Sequence, residues 1–136
     1  MKKSIKVMVV SFSGVVVLGL LSFSYAGGEW KVPDTDKNVK NAVKSDKVSI
    51  DAGAVLYAKH CKSCHGKTGE GDGPKATELK GELSDFTQSK FQSQTDGALF
   101  YKINKGRDEM PSFAKKISEE DDVWSIINYM RTFGKK

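Results

Sequence analysis

The stretch Cys61-Lys62-Ser63-Cys64-His65 decides how this chain is read. Two cysteines separated by two residues can each add across a vinyl group of haem to form two thioethers. The histidine that follows is then held beneath the iron as an axial ligand. These are the only two cysteines among 136 residues, so no thiol is left over for another chemistry. Two competing readings fail. A zinc site built from His60, Cys61, Cys64 and His65 would draw all its ligands from six consecutive positions, whereas structural zinc sites separate their ligand pairs by about a dozen residues. A thioredoxin-like dithiol needs a βαβ context, and no segment here alternates as a strand.

The N-terminus fits the same reading. Met1-Lys2-Lys3 is followed by a mostly apolar run from Ile5 to Phe23 and by Ser24-Tyr25-Ala26. A basic start, an apolar middle and small residues three and one before a break predict a secretory signal peptide over residues 1–26. The alternative is a retained membrane anchor, and the apolar run, roughly 17–19 residues, sits near the lower limit for spanning. Lys2 and Lys3 precede that run, Lys6 sits at its start, and together they keep this end cytoplasmic, so the remainder is expected in the periplasm or otherwise exported. There, two nearby cysteines would ordinarily oxidise to a disulfide, but a two-residue spacing staples little; haem attachment accounts for both export and spacing.

Removal of the signal changes the charge balance. The whole chain carries +5, but the signal holds three of the 22 basic residues and none of the 17 acids. The remainder has 19 basic against 17 acidic side chains, a net +2, and two ionised haem propionates bring it near zero. Lysines are scattered with no aromatic-interleaved basic stripe, which argues against nucleic-acid binding. A mature chain of this length buries one modest core.

Residues 27–48 are polar and read as an N-terminal arm or linker, with Trp30 and Val32 as its only anchors. The folded unit, residues 49–136, is expected to be all-α. Ser49 is positioned to cap a helix from Ile50 to about Cys61, with Ala54, Tyr57, Ala58 and Cys61 on one face. Gly66 to Pro74 holds four glycines and a proline in nine residues, which forbids a helix and predicts a turn round the haem edge. It lacks the preceding strand of a phosphate-binding loop and has no lysine followed by Ser/Thr at the Walker position. A short helix is expected over Lys75 to Leu83. Another follows from a Thr95 cap, with Leu99, Phe100 and Ile103 on one face and Gly106 at its end. Ser118 is placed to cap the last helix, whose first turn is acidic and whose stripe is Val123, Ile126, Ile127 and Met130.

A second axial ligand has few sources. Met1 and Met8 leave with the signal, and Met130 lies on the stripe of the last helix, where a thioether fills core gaps. Met110 lies between two helices in Arg107-Asp108-Glu109-Met110-Pro111, where a loop can carry it over the distal face. The competing description is a half-exposed loop methionine. His60 is too close to Cys61 to reach that face and reads as a surface residue.

These residues together resemble a class I, single-haem c-type cytochrome over about Gly53 to Phe133. Gly53 and Tyr57, the Cys61-to-Gly66 motif, Met110-Pro111-x-Phe113, and Trp124 to Phe133 carry the resemblance. It implies a small cytochrome c-like helical domain wrapped around one haem c, bound through Cys61 and Cys64, with His65 and Met110 as iron ligands. It also implies first and last helices that cross at Gly53, an aromatic contact from Tyr57 to Trp124 or Tyr129, and a Pro74 carbonyl accepting from the ligand histidine. The implied activity is one-electron transfer between redox protein partners, membrane-bound respiratory complexes among them, with no bond made or broken in a substrate. The alternative is a haem-based sensor or catalytic haem protein with a labile Met110. Leu79, Leu83, Phe86, Phe91, Phe100, Ile103 and Phe113 are the candidate haem walls.

Overall fold

The chain's structure, a computed structural model, describes residues 29–134; the expected signal segment lies outside the described residues. Among those residues the chain is helical, with one isolated bridge between Arg107 and Met110 and no strand. The helices are α1 (Asp34–Lys37), α2 (Lys47–His60), α3 (Lys62–His65), α4 (Ser89–Gln92), α5 (Asp96–Lys105) and α6 (Glu120–Arg131), with a 3-10 turn at Ala76–Glu78.

Helix α2 begins three residues earlier than its sequence suggested. Asp46 is the cap: its carboxylate accepts from the Val48 and Ser49 amides at 3.1 Å each. The Ser49 hydroxyl reaches back to accept from the Asp46 amide at 3.2 Å, so Ser49 is the reciprocal member of a capping box. The buried face of α2 is Ser49, Gly53 and Tyr57, a repeat of four. Ala58 and Val55 point outward instead.

This narrow face packs on α6, which has the most buried residues of the described helices. Val123, Trp124, Ile126, Ile127 and Met130 are all buried, as the stripe predicted, and Ser125 and Asn128 are buried with them. A Cβ on Gly53 would lie 2.0 Å from the Ser125 carbonyl oxygen and 3.0 Å from the Tyr129 Cβ. Only a residue without a side chain lets the two backbones come this close. Tyr57 then meets Tyr129 at 5.4 Å and Phe133 at 5.3 Å between ring centroids, a tilted and an edge-on geometry favoured by aromatic quadrupoles. Tyr129 is therefore the partner of Tyr57, while Trp124 stacks on Phe100 at 4.1 Å.

Helix α5 keeps its expected ends. The Thr95 hydroxyl accepts from the Ala98 amide at 3.2 Å, and Gly106 has a φ of +67°. The cap of α6 differs: Glu119, not Ser118, holds that position, and the Ser118 hydroxyl donates to the Glu119 carboxylate instead. Glu120, Asp121 and Asp122 occupy the first turn of α6, where carboxylates oppose the positive end of the helix dipole. No α-helix forms over Lys75 to Leu83: past the 3-10 turn, Leu79 is extended, and Gly81 sits in the open.

Residues 29–48, read as an arm or linker, lie against α5 and α6. The Thr95 hydroxyl donates to the Lys37 carbonyl at 2.7 Å, and Val32 is buried. Asn128 ties the segment to both long helices. Its oxygen accepts from Asn41 at 2.9 Å, and its amide donates to the Val43 carbonyl at 3.2 Å and the Ser49 hydroxyl at 3.1 Å. Arg131 bonds Asp96 through Nε at 2.9 Å and caps the carbonyls of Gln92 and Gln94. The buried Asn128 amide and the partly buried Arg131 guanidinium are well satisfied, which makes their loss costly.

The crossing at Gly53 gives the first prediction. Gly53→Val should destabilise the protein by about 2 kcal/mol or more, because the obstructing atom is backbone and cannot rotate away. Thermal denaturation should show a fall in Tm of roughly 10 °C for a domain of this size. An unchanged Tm would mean that the helices are not packed this closely.

Candidate haem-attachment site

Helix α2 ends at His60, and Cys61 turns the chain with φ −116° and ψ −38° into the single turn of α3. The Cys61 amide still bonds back to the Tyr57 carbonyl at 2.8 Å, and the Cys61 carbonyl accepts from the His65 amide at 2.9 Å. The two cysteines and His65 thus occupy one slightly kinked continuation of α2. Both thiols are free and half-buried. Burial, and then the neighbouring Cys64, push the Cys61 thiol up to about 12, so it is held protonated.

Tyr57 locks this turn to the helix crossing. Its hydroxyl donates to the Gly66 carbonyl, the residue after His65, at 2.9 Å. Burial and the nearby Cys61 raise the phenol well above its ordinary range, so it stays a donor. The glycine-rich segment then folds back on α3. Gly71 donates to the His65 carbonyl at 3.0 Å, Gly73 to the Cys64 carbonyl at 3.1 Å and Lys75 to the Ser63 carbonyl at 2.8 Å. The predicted turn therefore exists and wraps the motif.

The His65 ring stacks on Phe86, 4.6 Å between centroids and 28° between planes, and Phe86 stacks in turn on Phe91 at 4.2 Å. Burial lowers the imidazole to about 4, which leaves it neutral across the physiological range, the form in which imidazole binds a metal. Its Nδ1 is buried without a hydrogen-bond partner. The bond expected from this ring to the Pro74 carbonyl is therefore not made; the Phe86 stack orients the ring instead. A neutral buried imidazole with an unpaired nitrogen, beside two reduced cysteines one turn apart, fits the donor set of a covalently held haem.

Met110 stands on a separate element. The chain between α5 and α6 closes a tight turn, with Arg107 and Met110 exchanging amide-to-carbonyl bonds of 2.9 Å each. Asp108 within it has a φ of +51°. A Cβ on Gly106 would lie 2.5 Å from the Pro111 carbonyl carbon, so this glycine is needed for both its φ and its lack of bulk. The Ser112 hydroxyl donates to the Asn104 carbonyl, and the Phe113 amide to the Ile103 carbonyl at 3.1 Å. Met110 is half-buried, and both it and Cys61 border the core cluster of Phe86, Phe91, Leu99, Ile103 and Phe113. Met130 lies inside that cluster at 4 % exposure, as its place on α6 predicted. His60 is half-buried, with its ring edge-on to Phe113.

Of the expected haem walls, Phe86, Phe91, Ile103 and Phe113 are buried, and Phe100 packs at the edge on Trp124. Leu79 and Leu83 are only half-buried in irregular chain. Ile117, absent from that set, is buried with them. The position of Phe86 against His65 also escaped the sequence reading. Its local signal is Asp85-Phe86-Thr87, an Asx turn in which the Asp85 carboxylate accepts from the Thr87 amide at 2.8 Å and hydroxyl at 2.7 Å.

The chain is similar to several known proteins. A curated cytochrome c6 from Gracilaria tenuistipitata var. liui is 24% identical over 81 residues, covering 60% of this chain and 69% of that protein. The solved KustC0563 c-type cytochrome superposes with a TM-score of 0.53 at 29% identity, covering 61% of this chain and 98% of its own. A chain of the Kuenenia stuttgartiensis reducing HAO-like protein complex Kustc0457/Kustc0458 superposes with a TM-score of 0.63 at 29% identity over 71% of this chain. This chain spans half the length of that one. The family described as cytochrome C oxidase, cbb3-type, subunit III matches residues 48–130, which include the whole of the attachment turn and the Met110 loop. The chain belongs to that family and is a class I c-type cytochrome, a helical domain that carries the Cys61-x-x-Cys64-His65 motif.

Proposed function

We propose that this protein is an exported carrier of single electrons between redox partners, with one haem c held by Cys61 and Cys64 and with His65 and Met110 as its axial ligands. The observation that carries the reading is the half-buried, neutral His65 ring with its buried Nδ1, beside two free thiols, on a core cluster that Cys61 and Met110 both border. When bound, the haem supplies an iron that alternates between the ferrous and ferric states.

The chain's residues do the rest. Cys61 and Cys64 fix the group to α3, and Tyr57 fixes α3 to the helix crossing. His65 offers a neutral nitrogen without a deprotonation step, because burial has already removed its charge. The Gly106 backbone and the Arg107–Met110 turn hold the thioether sulfur at the edge of the cluster. Thioether ligation favours the ferrous form more than a second imidazole does, within a range of roughly 0.8 V set by axial ligands. If His65 and Met110 both held the iron, no position would remain open for oxygen or peroxide. Phe86, Phe91 and Phe113 exclude water from the same region.

The family and the solved relatives support redox proteins as partners. A similar chain sits within a reducing HAO-like protein complex, and the matching family is named for a subunit of an oxidase. We infer that the partners are proteins of this kind, respiratory or catabolic complexes that accept or supply one electron at a time. Export follows from the basic, apolar and small-residue pattern of residues 1–26. Among the described residues no helix is long and apolar enough to cross a membrane.

Two experiments test the reading. Met110→Ala should retain covalent haem, lose the red-end sulfur-to-iron charge-transfer band, and bind carbon monoxide readily in the ferrous state, where the parent protein is inert. A band that survives the substitution removes Met110 from the site, and carbon monoxide binding by the parent favours the sensor or catalytic alternative. Cys61→Ala combined with Cys64→Ala, expressed with export, should yield little folded protein, since a porphyrin forms much of the core in so small a domain. A stable helical product with the parent's Tm would contradict that.

A further inference from the structure

The segment before α1 reaches the turn that carries Met110. Residues 30–37 run along α5 in reverse: Lys37 is bonded to Thr95 at its start, and Trp30 lies at its end, against Lys102 and Arg107. The Arg107 guanidinium lies over the Trp30 ring at 4.7 Å from the centroid, and the Lys102 ammonium at 5.5 Å. Both distances are within the range of an effective cation–π contact. Arg107 is itself half of the Arg107–Met110 bridge, so the indole holds the first residue of that turn.

The other side of the turn is tethered as well. The Glu109 carboxylate accepts from the Lys80 amide at 2.7 Å, which links the turn to the loop that follows the glycine-rich segment. Met110 directly follows these tethered residues and closes the turn with Arg107. Trp30 also moderates a repulsion: Lys102 is depressed first by burial and then by Arg107, so two like charges crowd one place. The ring over which both lie offsets part of that cost. Val32, two residues on, is 6 % exposed and anchors this end of the segment.

We propose that Trp30 is a positioning residue for the sixth iron ligand: the N-terminal segment is a strap whose indole clamps Arg107 and so keeps the Met110 turn closed. The proposal rests on the reading of Met110 as that ligand. Its consequence is that the strap sets how readily an outside ligand displaces the thioether. A small molecule that binds only when Met110 has left has an apparent affinity scaled by the fraction of turns that are open.

The probe is imidazole added to the ferric holoprotein. Trp30→Ala should bind imidazole about tenfold more tightly than the parent, from the loss of two cation–π contacts. Covalent haem and helix content should be unchanged, and the charge-transfer band weakened. Trp30→Phe, which keeps a ring, should return to within about threefold of the parent. Arg107→Gln reaches the same contact from the turn and should repeat the shift seen for Trp30→Ala. Asp108→Asn removes only the adjacent 3.2 Å ion pair to Arg107 and should leave the affinity at the parent's value. Imidazole affinity in Trp30→Ala within about twofold of the parent, or Trp30→Phe as open as Trp30→Ala, overturns the strap. Failure of the ligand reading looks different: the parent lacks the band, or keeps it after Met110→Ala.

Discussion

The contact of Gly53 with the Ser125 backbone is the constraint on which the rest depends. A crossing with 2.0 Å between a notional Cβ and a carbonyl oxygen has no tolerance, so α2 and α6 have one relative placement. That placement puts Tyr57 against Tyr129 and Phe133. It also aims the Tyr57 hydroxyl at Gly66, and through Gly66 it positions the turn that holds both cysteines and His65. The attachment site is thus an extension of helix packing, which is the more rigid kind of support for a functional group.

The proposed second ligand has a different foundation. Met110 belongs to no helix, and its turn is shaped by Gly106, by the Arg107–Met110 bridge and by contacts from two distant segments at Trp30 and Lys80. Of the two proposed axial residues, one is therefore fixed by helix packing and the other by loops. For an electron carrier, in which a ligand that stays in place keeps reorganisation small, the strength of those loop contacts decides whether the site is closed. The N-terminal segment, polar in composition, acquires a role through this contact rather than through any motif.

Much of this was legible in the sequence, for physical reasons. The Cys-x-x-Cys-His turn, the Thr95 cap and the Gly106 terminus are local signals, each contained within a few residues. The stripe of α6 is a periodic signal, and burial follows it closely. The start of α2 was misread because Ser49 is a capping residue by type, yet serves as the reciprocal partner of Asp46. Ser118 was misplaced by one residue in the same way. Asn128 and Arg131 could not be found, since their partners lie between 35 and 87 residues away and nothing local marks them. The orientation of His65 was also missed: Phe86, not Pro74, meets the ring, and that stack depends on a fold-back of the whole glycine-rich segment.

The central claim is that one haem is bound covalently through Cys61 and Cys64. The most direct test is the intact mass of the exported protein together with its pyridine haemochrome spectrum. The account predicts a mass increase of one haem over the chain cleaved after Ala26, with a spectrum of two saturated vinyl groups and the label confined to the peptide that contains Cys61 and Cys64. A colourless protein, haem released by acidified solvent, or a haem carried on any other peptide would contradict it.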